Sequence, residues 1–237
     1  MFQKMMTGAL IAGIGAGLFA ALFHFVFIQD LILLGERYET GEIVHFAQDA
    51  GVPAHDHTVE AGDHAGHGAP DEVSPLTRNA LTVGFTVVLY AAYGMLLVAG
   101  FAVATQMGRS IGATQGLIWG VAGFAAFQLS PAMGLAPELP GTVAADLAAR
   151  QVWWWAAVVA TGLGVVLIAY GRSVLLAAAG ILLALAPHVI GAPTLGEYFS
   201  YAPAELGAEY SARVLGVGLA SWSMLGWLAG WQWSRSN

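Results

Sequence analysis

Apolar residues fall in six blocks, at 7–28, 80–105, 111–133, 152–170, 173–190 and 214–231, and none contains Asp, Glu, Lys or Arg. A helix needs roughly 20 apolar residues to cross a bilayer. The blocks therefore predict six transmembrane helices. The last three are short, and Gly171 with Arg172 supplies the turn that divides 152–190 into two spans. The first block exceeds the apolar stretch of a cleaved leader and has no small-x-small site before the polar segment, so it is expected as a retained first span. Six crossings put both termini on one side.

Composition changes this picture only by strengthening it. The chain of 237 residues is 57% hydrophobic and 10% charged, against about 45–50% and about 25% in soluble domains. The expected fold is an all-α, polytopic integral membrane helix bundle of about six spans, forming one membrane domain over 1–237. Gly13/Gly17, Gly116/Gly120 and Gly226/Gly230 are GxxxG pairs among 31 glycines. They suit close packing within the bundle, with a dimer or partner face as the lesser reading. A net charge of −7 argues against nucleic acid. The absence of cysteine removes disulfides, thiolate metal sites and Cys nucleophiles.

The charges are sorted. Ten of the 15 carboxylates lie between Asp30 and Glu72, and the others are Glu138, Asp146, Glu197, Glu205 and Glu209. With six spans these share one face of the membrane. The other face carries only Lys4, Arg109, Arg172 and Arg235, so it is expected to be cytoplasmic, with the acidic loops outside. Trp231 and Trp233 are then expected in a cytoplasmic aromatic belt, and Trp153, Trp154 and Trp155 at the outer interface.

An internal repeat is legible. Leu129-Ser-Pro131-Ala-Met-Gly-Leu-Ala136-Pro137 ends span 3, and Leu185-Ala-Pro187-His-Val-Ile-Gly-Ala192-Pro193 ends span 5. Each leads to an acid four residues before an arginine, Asp146/Arg150 and Glu209/Arg213. Spans 3–4 and 5–6 thus look like two copies of one hairpin, with each acid and arginine on one helical face. Pro131 and Pro187 remove a backbone donor and free a carbonyl near the outer surface, which could favour a cation or simply end the helix.

The polar segment 29–79 is the long extracytoplasmic loop. Leu31 to Gln48 can lie as an amphipathic helix on the membrane. Beyond it, His55, His57, His64 and His67 stand with Asp56, Glu60 and Asp63 in a glycine-rich stretch. Imidazole with carboxylate suits divalent first-row ions, and without thiolate Co²⁺, Ni²⁺, Zn²⁺ and Cu²⁺ remain open. Such spacing suits transient capture better than a rigid cage; chance histidines in a polar loop are the bland alternative. Glu42-Ile-Val-His45 is one ExxH step, and a di-metal bundle needs two. His24 and His188 are the histidines at membrane depth, suited equally to an ion entrance or to hydrogen-bonded packing.

These pieces together resemble the CbtA family of predicted cobalt transporter subunits. The likeness covers nearly the whole chain and rests on Glu36-Arg37-Tyr38-Glu39, the histidine loop at 55–67, Pro137-Glu138-Leu139-Pro140-Gly141, Ala149-Arg150-Gln151 before Trp153-Trp154, Pro187 to Pro193, and Pro203-Ala204-Glu205-Leu206. The family is described with five spans, whereas six are counted here. The resemblance implies import of cobalt across the bacterial inner membrane in cells that make cobalamin, with a small single-span partner, CbtB. It makes the loop histidines an outer metal trap and sets His188, beside Pro187, at the mouth of the pathway.

The leading functional expectation is a membrane subunit that admits a divalent cation, Co²⁺ first and Ni²⁺ or Zn²⁺ next, as substrate and without an organic cofactor. No acid lies within a span, so a deep pathway must use His24, His188, Gln128, backbone carbonyls or a partner's residues. The alternative is a structural or assembly subunit of a larger membrane complex. No Walker A motif is present, and no Ser/His/Asp pattern supports an enzyme.

Overall fold

Each of the six apolar blocks carries a helix in the computed structural model, which describes residues 2–44, 74–196 and 199–236. The order is α1 (Phe2–Phe27), α2 (Gln29–Glu39), α3 (Pro75–Gln106), α4 (Ala113–Phe124), a π-helical turn (Ala125–Leu129), α5 (Ser130–Ala132), α6 (Leu147–Tyr170), α7 (Val174–Ile190) and α8 (Ala204–Ser236). Among the described residues, four helices are long and apolar enough to cross a membrane: Met5–Phe27, Pro75–Gln106, Leu147–Tyr170 and Ala204–Ser236. Val174–Ile190 is apolar but shorter. The third block is a helix in three parts, running through the π turn. Length and composition thus assign four crossings where the apolar pattern counts six.

Local chemistry sets the helix boundaries. Ser74 accepts the Thr77 amide and Pro75 follows at the first helical position of α3, where a missing N–H is no loss. Asp146 caps α6 through Ala149 N at 2.9 Å, and Ser173 caps α7 through Leu176 N at 3.2 Å. Pro131 has no N–H to give, and its ring crowds the preceding turn. The chain responds by widening, with Ser130 N reaching back five residues to Ala125 O. Pro187 lies one turn from the end of α7, which stops at Gly191 with φ +91°, a conformation that costs glycine little. In the polar segment after α1 the helix ends at Glu39, short of the expected amphipathic stretch to Gln48.

The core is built from α1, α3, α4 and α8. Ala9, Ala12, Ala16 and Ala20 give α1 a buried face, while Phe101, Trp222 and Leu225 fill the centre. A Cβ at Gly116 would overlap the backbone of Gly226 and Gly230, and one at Gly120 would overlap Trp222 and Gly226. Gly13 and Gly17 meet Ala91 and Val87 of α3 in the same way. The GxxxG pairs are therefore consumed inside the bundle. Trp233 is buried here too, 5.9 Å from Phe101 between ring centres, so it is core and not part of an aromatic belt. Trp231 stacks instead on Trp227, with Arg235 at 4.0 Å over its ring.

Beside this core stands the hairpin of α6 and α7. The two approach closely at Gly164 and Gly180. The backbone of α7 packs against α6 and no other helix among the described residues, whereas α6 also meets α4, the π turn and α5. Because α7 and α8 do not pack together, the two proline-marked stretches do not form equivalent packed hairpins.

The helices alternate between two ends. At one end Gly8 of α1 lies beside Gln232 of α8, and Arg109, after α3, sits 5.6 Å over the Tyr170 ring at the close of α6. At the other end Arg78 pairs with Glu36 at 3.2 Å, Arg213 donates to Phe27 O at 3.0 Å, and Arg150 pairs with Glu138 at 2.7 Å. Every described carboxylate belongs to a segment at this second end.

Candidate functional site

The acidic end is tied together by the loop between α5 and α6. Leu139 is buried, and its side chain packs under Gly35 of α2. Pro137 O accepts from Ser211 Oγ of α8 at 2.6 Å. Thr142 and Ser200 form an isolated antiparallel bridge, with Val143 N donating to Phe199 O at 3.2 Å. The segment 137–143 therefore acts as a keystone joining α2, α8 and the loop after α7.

Two clefts open around this keystone. One, of ≈520 Å³, runs from Glu138, Arg150 and Gln151 down to Gln128 and Leu215. The second, of ≈570 Å³, lies between the loops and includes Thr142, Pro193 and Phe199. Glu138 and Arg150 line both, so their ion pair is the shared wall. The pairing differs from the i,i+4 expectation. Asp146 spends its carboxylate on the cap of α6, which leaves Arg150 to reach across to Glu138. Glu209 and Arg213 do pair as expected.

His188 lies where α5, α6 and α7 meet. Its Nε2 is 3.1 Å from Ser130 Oγ, and that hydroxyl is 2.7 Å from Thr161 Oγ1. Ser130 and Thr161 are both buried. The Trp153 indole donates to Pro187 O at 3.1 Å, and Gly191 N donates to the same carbonyl at 3.0 Å. That carbonyl already has two donors and is not an open cation ligand. Trp153 is accordingly buried, while Trp155 is 57% exposed. Of the three consecutive tryptophans, one is a structural tie.

His24, near the end of α1, rests edge-on against Phe25. Helices α1 and α7 make no contact, so His24 and His188 do not form a joint site. The expected metal ligands His55, His57, His64, His67, Asp56 and Asp63, together with His45, lie outside the described residues. Among the described residues no three His, Asp or Glu side chains come close enough to hold a metal.

Ser130 and Thr161 escaped sequence reasoning because single hydroxyls in apolar helices can bond their own backbone. The available signal was Ser130 next to Pro131, where the broken turn redirects side chains.

A family model described as probable cobalt transporter subunit (CbtA) matches residues 2–234. No curated protein matches the chain, and no solved structure does.

Proposed function

The chain belongs to the family of probable cobalt transporter subunits, CbtA, and on that premise we propose that it admits a divalent transition-metal cation, Co²⁺ before Ni²⁺ or Zn²⁺, from its acidic end. The carrying observation is the separation of charge along the bundle. The described acids all lie at the end where the two clefts open and outnumber its four arginines, with Glu138 on the cleft wall, while Arg109 and Arg235 mark the other end. A field of one sign raises the local concentration of the opposite ion.

In this reading the protein sits in the bacterial cytoplasmic membrane as one domain of six crossings. The third block, from Ala113 to Ala132, and α7 complete the count, and their alternating ends support it. Both termini face the cytoplasm and the acidic loops face outward. The loop 29–79 captures the ion through His55, His57, His64 and His67 with Asp56 and Asp63, and releases it to the clefts. The proline-bearing stretches 129–137 and 185–193 border those clefts. The ion is substrate; no catalysis and no organic cofactor are involved. His24 remains a ligand candidate only by its depth, since its described neighbours are aromatic. A partner is part of the proposal, because the family is one of subunits, and a single-span CbtB-like chain fits. His188, held by Ser130, is a positioning residue at the mouth.

The test is cellular Co²⁺ uptake by mass spectrometry, with wild type compared with a variant carrying His55, His57, His64 and His67 all as alanine. Uptake at low micromolar Co²⁺ should fall in the variant and recover at high Co²⁺. Equal uptake with and without the protein and its partner would leave it an assembly subunit of a larger complex.

A further inference from the structure

Among the described residues, three buried side-chain atoms have no hydrogen-bond partner: Gln128 Oε1, Ser221 Oγ and Trp222 Nε1. They are not scattered. Gln128 belongs to the π turn, and its amide lies over Gly218, where any Cβ would overlap it. Ser221 and Trp222 follow Gly218 by three and four residues, which sets them one turn further along the same face of α8. Ser221 is 0% exposed and Trp222 is 1% exposed. The Tyr90 hydroxyl of α3 approaches Ser221, a contact too loose to satisfy the serine hydroxyl. The Trp222 ring is 4.5 Å from Tyr93 and 5.6 Å from Phe127, the neighbour of Gln128. Three elements thus bring polar side chains to one region of an otherwise apolar core.

A buried polar atom left unpaired costs about 1–3 kcal/mol, so such atoms call for an explanation, ordered water or an ion being the usual one. The donor and acceptor types discriminate between the two. Gln128 Oε1 accepts, a serine hydroxyl accepts or donates, and an indole Nε1–H only donates. A bare cation would be opposed by that N–H, whereas water satisfies all three. The region borders the ≈520 Å³ cleft of the acidic end, because Gln128 and Phe127 line it. π turns recur at functional sites because they displace a side chain from the regular helical face.

We propose that Gln128, Ser221, Trp222 and the Tyr90 hydroxyl hold a cluster of ordered water at the π turn, a hydrated station reached from the outer cleft. Resting on the transport reading, the station lets the cation pass inward with part of its water shell, needing no acid within a span.

The test is hydroxyl-radical footprinting of the full chain in nanodiscs, read by mass spectrometry, because radicals formed in bound water oxidise the side chains they touch. Trp222 and Tyr90 should be oxidised, while Phe101, 0% exposed in the apolar core, should not. The double variant Gln128→Leu, Ser221→Ala should lose most of the Trp222 label and slow Co²⁺ uptake several-fold. Trp222→Phe keeps the ring packing and removes the N–H; in it the Tyr90 label should weaken. Trp222 and Tyr90 labelled no more than Phe101 in the wild type would overturn the station, whatever the transport result. Labelling with uptake unchanged in the double variant would overturn the passage of the ion through it. Labelling in a protein that moves no Co²⁺ would sink the transport reading and leave the station standing.

Discussion

The core of α1, α3, α4 and α8 and the lateral hairpin of α6 and α7 are both apolar, yet the core and the seam that joins the hairpin to it are held by different physics. In the core, α4 and α8 touch backbone to backbone where Gly116 and Gly120 meet Gly226 and Gly230. The hairpin is joined to the core through a chain of polar contacts, Thr161 to Ser130 to His188, and the indole of Trp153 locks α7 to α6. Lipid is as apolar as leucine, so association within it depends on close packing and hydrogen bonds. Glycine packing serves both regions, since α6 and α7 also meet backbone to backbone at Gly164 and Gly180, but the seam between hairpin and core adds the polar chain. Glycine contacts have no alternative partner and cannot be adjusted. Hydroxyl and imidazole contacts can exchange partners, so the hairpin is the region suited to rearrangement.

The sharpest way to break this comparison is to overfill the core. Gly226→Val would drive a side chain into the Gly116 and Gly120 backbone, and overpacking costs about 1–3 kcal/mol or more even where side chains can yield. A drop in melting temperature and loss of the monodisperse peak in size exclusion should follow. Normal behaviour would show that the α4–α8 crossing is loose.

A smaller effect should follow from Ser130→Ala, which strands Thr161 and His188 together. About 1 kcal/mol is expected, localised as faster hydrogen exchange in α7 with α4 and α8 unchanged. A double-mutant cycle with His188→Ala should give a coupling of roughly 0.6 kcal/mol, the mean for interhelical hydrogen bonds in a membrane. Exchange that rises equally in α8 would erase the distinction between the two regions.

The smallest change should come from Glu138→Gln. The Glu138–Arg150 pair is a quarter to a third exposed, so its loss should move stability by less than about 1 kcal/mol. Its effect should appear in uptake, as weaker Co²⁺ dependence, because it removes a charge from the wall of both clefts. A large fall in melting temperature instead would make the pair a structural tie like Trp153.

The core was the more legible region. Six apolar blocks gave helices, and the glycine pairs pointed to close packing within the bundle without naming which helices meet, because period and residue size are written locally. The hairpin was read less well. Pairing Arg150 with Asp146 failed since an N-cap competes for the same carboxylate, and sequence spacing cannot show which use wins. Trp233 looked interfacial by its place near the chain end, but the small faces of α1, α4 and α8 leave a space that it fills. The unpartnered atoms of Gln128, Ser221 and Trp222 were invisible because satisfaction is a property of neighbours. Gln128 alone stood out, as an amide in a span.

The length of α7 has a consequence for the lipid around it. Its 17 residues rise about 1.5 Å each, so a crossing made by α7 is about 25 Å long, short of the roughly 30 Å hydrocarbon layer. By the same rise the apolar block of α3, 80–105, is about 39 Å long and exceeds that layer, while the apolar block of α8, 214–231, is about 27 Å and nearly matches it. If α7 crosses as proposed, its mismatch pinches the bilayer beside the hairpin, while the longer apolar block of α3 acts in the opposite sense. Membrane thickness then acts on α7 selectively, so the lipid composition of the host membrane becomes a mechanical input to the region that polar contacts leave adjustable.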